Sequence, residues 1–289
     1  MSTIAVTGST GALGTLVIDQ LLKRVHASQV VAIARSAEKA ASLRAKGVEV
    51  RIADYTQPST LVQALQGVDK LLLISANEVG KRFAQHSAVV DAARTAGVSF
   101  IAYTSLLRAS TSDLILAPEH VQTEQYIAAS GIDYAFLRNG WYHENYLGTL
   151  EQVRQTGLLV TSVGAGKVSS ASRDDFAEAA AIVISQPGHE GKAYELAGDV
   201  AWTQDELAAE MESAIGIPVT LSSVSADDHM EALEAAGVPE DVRQFIVSID
   251  RSTAAGALED HSRDLSRLLG RPTTSLRAAL SPAAVAGVA

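Results

Sequence analysis

The sequence contains no cysteine, which excludes disulfides, thiolate chemistry and cysteine-ligated zinc or iron–sulfur sites. Long hydrophobic runs are missing too. Stretches such as Leu71–Ile74 have the length of a strand and fall far short of the roughly 20 residues that span a bilayer. No basic and apolar leader precedes the first apolar run, Thr3–Val6. We therefore expect a cytoplasmic protein that does not associate with membranes.

Positive charge is scarce. Lys and Arg number 23 against 33 Asp and Glu, which gives a formal net charge of −10. A surface of this sign repels phosphate backbones and anionic lipids, so nucleic acid is not an expected partner. Apolar residues make up 47% of the 289 residues, enough to bury a large core in one domain or two coupled lobes.

The first half of the chain alternates short apolar runs with longer amphipathic stretches. Six runs predict buried strands: Ile4–Val6, Val30–Ala34, Val48–Ile52, Lys70–Ser75, Phe100–Thr104 and Tyr134–Leu137. The stretches that separate them predict helices: Gly11–Arg24, Ala37–Ala45, Ser59–Leu65, Lys81–Ala96 and Glu119–Ala129. Strands that alternate with helices form a parallel sheet. The predicted fold class is therefore α/β, a Rossmann-like doubly wound parallel sheet.

The second half has a looser pattern. It predicts strands at Leu158–Val163 and Tyr194–Leu196, a helix at Arg173–Ser185, and a further helix that begins with Thr203 as its cap and Glu206 completing a capping box. Three more helical stretches follow: Asp227–Ala236, Glu240–Ile249 and Asp264–Leu269. We expect a first domain over residues 1–150 that contains the sheet and a smaller, mostly helical C-terminal lobe over 151–289, interleaved with the first domain around 158–200.

The strongest motif follows the first predicted strand directly and opens the first predicted helix. It reads Gly8-Ser9-Thr10-Gly11-Ala12-Leu13-Gly14. Gly8 permits a tight turn, Gly11 lets the backbone approach a pyrophosphate, and Gly14 allows close packing of the helix, whose N-terminus faces the phosphate charge. Glycine-rich turns are common, but this strand–turn–helix context predicts a dinucleotide site.

The end of the second predicted strand indicates which dinucleotide is bound. An NAD site would place Asp or Glu there, whereas this chain has Arg35, which suits the 2′-phosphate of NADP; the alternative is a solvated surface arginine. Asp54, after the third strand, falls where such folds contact adenine. Ser75, Ala76 and Asn77 follow the fourth strand at the carboxyl edge, where open α/β sheets bind ligands.

Other chemistries lack their residues. None of the seven tyrosines is followed by Lys four residues later, so the acid that short-chain dehydrogenases use for ketones is missing. Tyr134 with Arg138 is the nearest arrangement. The seven histidines are scattered without metal-ligand spacing, and no G-x-S-x-G occurs. We expect no metal and no flavin, because the single dinucleotide fingerprint is assigned to the nicotinamide cofactor.

Several segments together resemble one family. They are Ile4–Gly14, Leu71–Ser75, Phe100–Ser105 and above all the block Leu137–Tyr146, with Gly188–Lys192 and Ala197–Asp199 in the second half. The chain resembles the NmrA-like atypical short-chain dehydrogenases and, within them, the bacterial NAD(P)H:quinone oxidoreductases that work without flavin. The resemblance extends over essentially the whole chain.

The resemblance implies NADPH as cofactor and a quinone as substrate, with residues 1–150 as the NADP-binding domain and 151–289 as the substrate lobe. It implies that Gly8–Leu13 and Arg35 hold NADPH, with the segment Ser75–Asn77 and the residues Asn139, Gly140, Trp141, Tyr142 and His143 around its middle and nicotinamide end. A quinone accepts hydride readily, so positioning can replace a tuned acid. Candidate catalytic residues are His120, which could donate a proton or only hydrogen-bond, and Asn139, which could orient the nicotinamide amide or a quinone carbonyl.

The candidate substrate residues are Tyr103, Trp141, Tyr142 and Asn145. The two residues Trp141 and Tyr142 would form a flat apolar wall, although aromatics at a strand exit are often core residues. Isoflavone-reductase-like members of the family have Lys where this chain has His120, eleven residues before Gly131, so Lys-based proton chemistry is in doubt here.

Two other functions remain open. Fungal NmrA-type regulators have the same fold, bind the dinucleotide and catalyse nothing, and the missing Tyr-x-x-x-Lys pair is compatible with that role. A reductase of triphenylmethane dyes is similar in its first third. The block Asn139–Tyr146 favours the quinone enzyme. We expect a monomer or a homodimer.

Overall fold

The computed structural model describes residues 2–281, which form two compact units. Unit 1 comprises residues 2–110, Leu116–Asn139 and Arg173–Leu196. Unit 2 comprises Thr111–Ile115, Gly140–Ser172 and residues 197–281. Residue 1 and residues 282–289, which the predicted domains include, lie outside the described residues. The boundary expected at residue 150 stays a prediction.

Unit 1 is built on a seven-stranded parallel sheet in the order β3-β2-β1-β4-β5-β6-β8. Its strands are β1 Ile4–Val6, β2 Val30–Ala34, β3 Glu49–Ile52, β4 Lys70–Leu73, β5 Phe100–Leu106, β6 Asp133–Asn139 and β8 Lys192–Leu196. The predicted doubly wound parallel sheet is confirmed. The strand order reverses at β1 and β4, the point at which such sheets bind ligands at their carboxyl edge.

Unit 1 also contains helices. They are α1 Ala12–Leu22, α2 Ala41–Ala45, α3 Pro58–Ala64, α4 Arg82–Ala96, α5 Ala117–Ala129 and α7 Arg173–Ser185, together with a 3₁₀ turn at Ala27–Gln29. Every residue of β1, β2 and β5 is buried, because helices cover both faces of the sheet. One part of the core packs Leu71 and Ile101 of the sheet against Leu61 of α3 and Val89 of α4.

Most predicted elements occur with small shifts at their ends. The bounds of β1, β2 and α7 coincide with the prediction. The fourth strand, however, ends at Leu73 rather than at Ser75. The amide of Ser75 donates to the side chain of Thr104 at 2.9 Å instead of to a neighbouring strand, which ends the ladder.

Unit 2 is mainly helical. It contains α6 Leu147–Thr156, α8 Gln204–Ile215, α9 Ala226–Ala235, α10 Glu240–Ala254, α11 Asp264–Leu269, α12 Leu276–Leu280, a 3₁₀ turn at His143–Tyr146, and the parallel pair β7 Leu158–Thr161 and β9 Thr220–Ser223. The predicted capping box is confirmed, because Thr203 Oγ1 accepts from the amide of Glu206 and the Glu206 carboxylate accepts from the amide of Thr203.

Residues 2–281 contain neither a helix that could span a membrane nor a cluster of metal-ligating side chains. No helix in this range is both long and apolar enough to cross a membrane. The same residues contain no cluster of three or more His, Asp or Glu side chains that could hold a metal ion.

Candidate cofactor and catalytic site

The glycine-rich loop has the geometry that its sequence predicts. Gly8 has a φ of +59°, in the left-handed region that favours glycine, and its carbonyl accepts from the amide of Gly11 at 2.9 Å. A Cβ atom at Gly14 would lie 2.8 Å from Ser9 Cα and closer still to the Gly8 carbonyl oxygen. Gly14 is therefore required because α1 packs closely against the loop itself.

The N-terminus of α1 is open to an anion. No side chain caps it, no acidic residue occupies its first turn, and the preceding Gly11 adds no side chain. Thr10 and Ala12 are at least partly exposed. The first amides of a helix lack intrahelical acceptors and carry partial positive charge, so a pyrophosphate is stabilised there.

Two other residues of the loop serve its shape. Ser9 is fully buried and its hydroxyl donates to the Ile33 carbonyl of β2 at 2.8 Å. Leu13, in the first turn of α1, is buried in the core. The loop therefore presents backbone rather than side chains to a ligand, as a close approach to a pyrophosphate requires.

Arg35 directly follows β2, and its side chain is exposed. Within residues 2–281 it has no hydrogen-bond or ion-pair partner, so its guanidinium can grip an added phosphate. Asp54 lies nearby. Hydrogen bonds from the amide and hydroxyl of Thr56, both 2.8 Å, and then the charge of Arg35 lower the pKa of Asp54. The cradle and the unpaired guanidinium fit a dinucleotide that carries a 2′-phosphate.

The segment after β4 contains three predicted cofactor residues. Ser75 and Ala76 are half-buried and Asn77 is exposed. The Ser75 amide is bonded to Thr104, as noted above, and the Ala76 amide donates to His86 Nε2 at 2.9 Å. The backbone of the segment is therefore held by its own unit, which leaves the Asn77 side chain at the surface.

His120 and Tyr103 form a buried pair. The Tyr103 hydroxyl lies 2.7 Å from His120 Nδ1, and the two residues are 0% and 4% exposed. Burial, followed by the charges of Arg82 and His86, lowers the pKa of His120 to about 3, and burial raises the pKa of Tyr103. Both rings are therefore uncharged at neutral pH, and His120 offers a hydrogen bond rather than a stored proton.

The end of β6 contains an ion-pair cluster that the sequence did not reveal. Arg138 binds the Glu124 carboxylate through two hydrogen bonds of 2.9 and 2.7 Å and the Glu195 carboxylate at 2.8 Å. Ser105 adds a hydrogen bond to Glu124 at 2.6 Å. Arg138 therefore has structural partners and does not act on Tyr134. The buried Asn139 follows it, and its carbonyl accepts from the amide of Leu107.

The rest of the predicted nicotinamide and substrate block lies in unit 2. Gly140 is buried, Trp141 and Tyr142 are half-buried, and Asn145 is exposed. The half-buried state of the two aromatic rings allows each to present a face to a ligand. It is also compatible with the alternative that they are core residues.

His143 is deeply buried in unit 2. Its Nε2 atom lies 2.9 Å from the Thr274 carbonyl, and its Nδ1 atom lies 2.8 Å from Ser170 Oγ. Ser170 Oγ accepts from Trp202 Nε1 at 2.9 Å. Because a carbonyl only accepts, Nε2 carries the proton and Nδ1 accepts from Ser170. The ring of His143 thus supports the block from within unit 2, and only its backbone stays a candidate for cofactor contact.

The fold and the phosphate cradle define a nicotinamide-dinucleotide protein, and comparison with known families narrows the class. The model of the NmrA-like family matches residues 1–274. The chain therefore belongs to the NmrA-like family, as the sequence predicted.

Individual relatives share most of the chain. Quinone oxidoreductase 2 of Escherichia coli is 51% identical over 278 residues, which is 96% of this chain and 97% of that protein. The crystal structure of the E. coli NADPH-dependent quinone oxidoreductase complexed with NADPH superimposes with a TM-score of 0.94 and covers 96% of this chain and 98% of that one. The Citrobacter triphenylmethane reductase complexed with NADP(H) is 42% identical, with a TM-score of 0.92 and coverage of 96% and 99%.

Proposed function

We propose that this chain transfers a hydride from NADPH to a quinone without a flavin. The balanced reaction is NADPH plus quinone plus a proton giving NADP⁺ plus hydroquinone. The predicted quinone oxidoreductase that uses NADPH is confirmed by the 51% identity to quinone oxidoreductase 2 over almost the whole chain. The absence of a flavin and the roles of single residues are our proposals.

In this proposal the glycine-rich loop and Arg35 bind the phosphates of the cofactor. The Gly8–Gly14 loop and the open N-terminus of α1 receive the pyrophosphate, because Gly11 places no side chain at the helix N-terminus and Gly14 lets α1 pack closely against the loop. Arg35 binds the 2′-phosphate and so selects NADPH over NADH. When bound, NADPH supplies the hydride. The segment Ser75–Asn77 and the block Asn139–His143 hold its middle and nicotinamide end.

The basicity of the hydroquinone oxygens determines how much general acid catalysis the hydride transfer needs. A developing hydroquinone oxygen is far less basic than the alkoxide formed from a ketone, so a neutral hydrogen-bond donor suffices. We propose His120 for this role. Its Nδ1 atom lies 2.7 Å from the Tyr103 hydroxyl, and in our proposal this hydroxyl donates to Nδ1, which leaves the ring proton on Nε2 to be donated to the substrate. Tyr103, at 0% exposure, acts through His120 and does not itself contact the quinone.

The remaining residues shape the substrate site in this proposal. Trp141 and Tyr142 offer flat aromatic faces against which a quinone ring can stack. Asn139 orients the nicotinamide amide or a quinone carbonyl, and Asn145 contributes a polar edge. The cytoplasmic location, the monomeric or homodimeric state and the absence of a nucleic-acid partner stay predictions.

A second candidate function has its own support. The triphenylmethane reductase of Citrobacter is 42% identical over 96% of this chain. A cationic triphenylmethane dye accepts a hydride at its central carbon and needs no proton donor. An acceptor with no oxygen to protonate gains nothing from the Nε2–H of His120. Dependence of the rate on His120 therefore separates the two substrates.

The experiment compares acceptors on one sample of purified protein. NADPH oxidation is followed by absorbance with a simple benzoquinone, with a triphenylmethane dye and with no acceptor, and the rates without enzyme are subtracted. We expect the highest kcat/KM with the benzoquinone. A higher kcat/KM with the dye would assign the chain to dye reduction, and tight NADPH binding without turnover of either acceptor would assign it to dinucleotide sensing.

A further inference from the structure

The backbone that follows β4 is held in place by hydrogen bonds from its amides to side chains. Three consecutive N–H groups, those of residues 74–76, donate to buried side chains: to Thr7 Oγ1 at 3.1 Å, to Thr104 Oγ1 at 2.9 Å and to His86 Nε2 at 2.9 Å. Each acceptor comes from a different element, in order β1 with its following turn, β5 and α4. Because these amides are satisfied internally, the path of the segment is fixed before any ligand binds.

His86 is the acceptor with a defined direction. Its Nε2 atom accepts from Ala76, so the ring proton is on Nδ1 and is donated to Thr123 Oγ1 at 3.0 Å. The Thr123 hydroxyl in turn donates to the Glu119 carbonyl at 2.8 Å. His86 is 0% exposed, and burial lowers its pKa to about 3, which keeps the accepting lone pair on Nε2 at neutral pH.

The same segment is tied to two helices. The carbonyl of Ala76 accepts from Arg82 Nε at 2.7 Å, and the Glu119 carboxylate accepts from the amides of Gly80 and Phe83 at 2.9 and 3.2 Å. These bonds connect the segment to α4 and to α5. Thr123 lies three residues after His120 on α5, so the contact made by His86 falls on the helix face that carries the candidate catalytic ring.

We propose that His86 is a positioning residue for the cofactor. Through the Ala76 amide it fixes Ser75–Asn77 in the conformation that receives NADPH, and through Thr123 it locks that segment to the helix of His120. His86 touches neither NADPH nor the quinone. The inference rests on the proposed function, in which Ser75–Asn77 contacts the cofactor.

Two substitutions separate the ring nitrogens of His86. A glutamine amide reaches the place of Nε2 and keeps an acceptor for Ala76, whereas an asparagine amide occupies the place of Nδ1 and keeps only the contact with Thr123. We expect His86→Gln to bind NADPH within about twofold of the wild type. His86→Asn should bind it about tenfold more weakly, the effect of one lost backbone hydrogen bond. The dissociation constant is measured by the fluorescence of NADPH.

A control variant shows whether a loss of stability alone changes the affinity for NADPH. Val90→Ala truncates a buried side chain one turn further along α4 and should lower the melting temperature without changing NADPH affinity. Amide hydrogen exchange in the absence of NADPH supplies a second readout. The Ala76 amide should exchange faster in His86→Asn than in the wild type and stay protected in His86→Gln.

Equal NADPH affinity in the Gln and Asn variants would overturn the inference, as would an unprotected Ala76 amide in the wild type. These results leave the proposed function standing, because the wild type would still bind NADPH and reduce quinones. Conversely, a wild type that binds NADPH but reduces no quinone contradicts the proposed function alone. The difference in affinity of the two variants would then still support the positioning role.

Discussion

The Tyr103 hydroxyl and His120 Nδ1 lie 2.7 Å apart in the interior of unit 1, and neither ring is charged at neutral pH. Short-chain dehydrogenases that reduce ketones use instead an acidic tyrosine activated by lysine. A neutral tyrosine–histidine pair can fix a ring and offer a hydrogen bond, but it cannot deliver a proton from a charged resting state. Such a site suits an acceptor that takes hydride without strong acid assistance.

His120→Phe removes the proposed hydrogen bond to the quinone. We expect kcat with a benzoquinone to fall about tenfold, the effect of one hydrogen bond, while the dissociation constant for NADPH stays unchanged. Tyr103→Phe should give a smaller loss, because the ring of His120 stays in place. Steady-state kinetics from pH 5 to 9 measure both. An ionisation in kcat near pH 6.5 that disappears in His120→Phe would show that the residue acts as a charged acid instead.

Arg35→Asp tests the selection of NADPH over NADH. The substitution replaces a charge-assisted contact with repulsion, so NADPH affinity should fall about tenfold to a hundredfold while NADH affinity is retained. Lys39→Asp makes the same change of charge at another exposed position four residues later and should leave the preference for NADPH intact. Equal losses in the two variants would mean that Arg35 acts only through the general field.

Gly14 is the glycine of the loop with the least room. A methyl group there meets the backbone of Gly8 and Ser9, so Gly14→Ala should lower the free energy of unfolding by about 1–3 kcal/mol. Gly148 in α6 has open space around its added Cβ, so Gly148→Ala should raise the free energy of unfolding by about 0.5–1 kcal/mol. Urea unfolding measures both variants. A Gly14→Ala variant with an unchanged free energy of unfolding would refute the close contact between Gly14 and the backbone of the loop.

Two of the buried histidines of unit 1, His86 and His120, make stability depend on pH. The pKa values of His86 and His120 fall from 6.5 to about 3 in the folded chain. Because only the unfolded chain binds these protons, the free energy of unfolding should decrease as the pH falls from about 6.5 toward 3, by up to about 1.4 kcal/mol per pH unit and histidine. Urea unfolding at pH 7 and pH 5 measures the slope.

Two variants test whether His86 contributes to this dependence of the free energy of unfolding on pH. His86→Gln should reduce this slope by about one proton, since it removes one buried ring that titrates. His261→Gln, at a ring whose side chain is 75% exposed, should not change it. An unchanged slope in His86→Gln would show that other groups cause the loss of stability in acid.

The sequence predicted the elements that depend on local pattern. β1 and β2 are continuous apolar runs buried on both faces, and their bounds coincide with the prediction. β9, with the sequence Thr-Leu-Ser-Ser, was not predicted, because it has little apolar character and is defined by its pairing with β7. Elements set by a distant partner leave no periodic signal in their own residues.

The same distinction holds for the site. The glycine loop and Arg35 could be predicted because neighbours in sequence define them. The ion pairs of Arg138 join residues 14 and 57 positions away, and the bond of His86 to Thr123 joins residues 37 positions apart. One signal for His86 was available: it precedes the buried Val89 and Val90 by three and four residues, which places it on the buried face of α4.

The most direct test of the account is turnover on protein shown to carry no flavin. Purified protein is denatured, the supernatant is checked for flavin absorbance, and the native sample is assayed for NADPH oxidation with a simple benzoquinone. We predict saturable turnover that favours NADPH over NADH in a sample without detectable flavin. Turnover that appears only after flavin is added, or NADPH binding without oxidation by any quinone, would contradict direct hydride transfer.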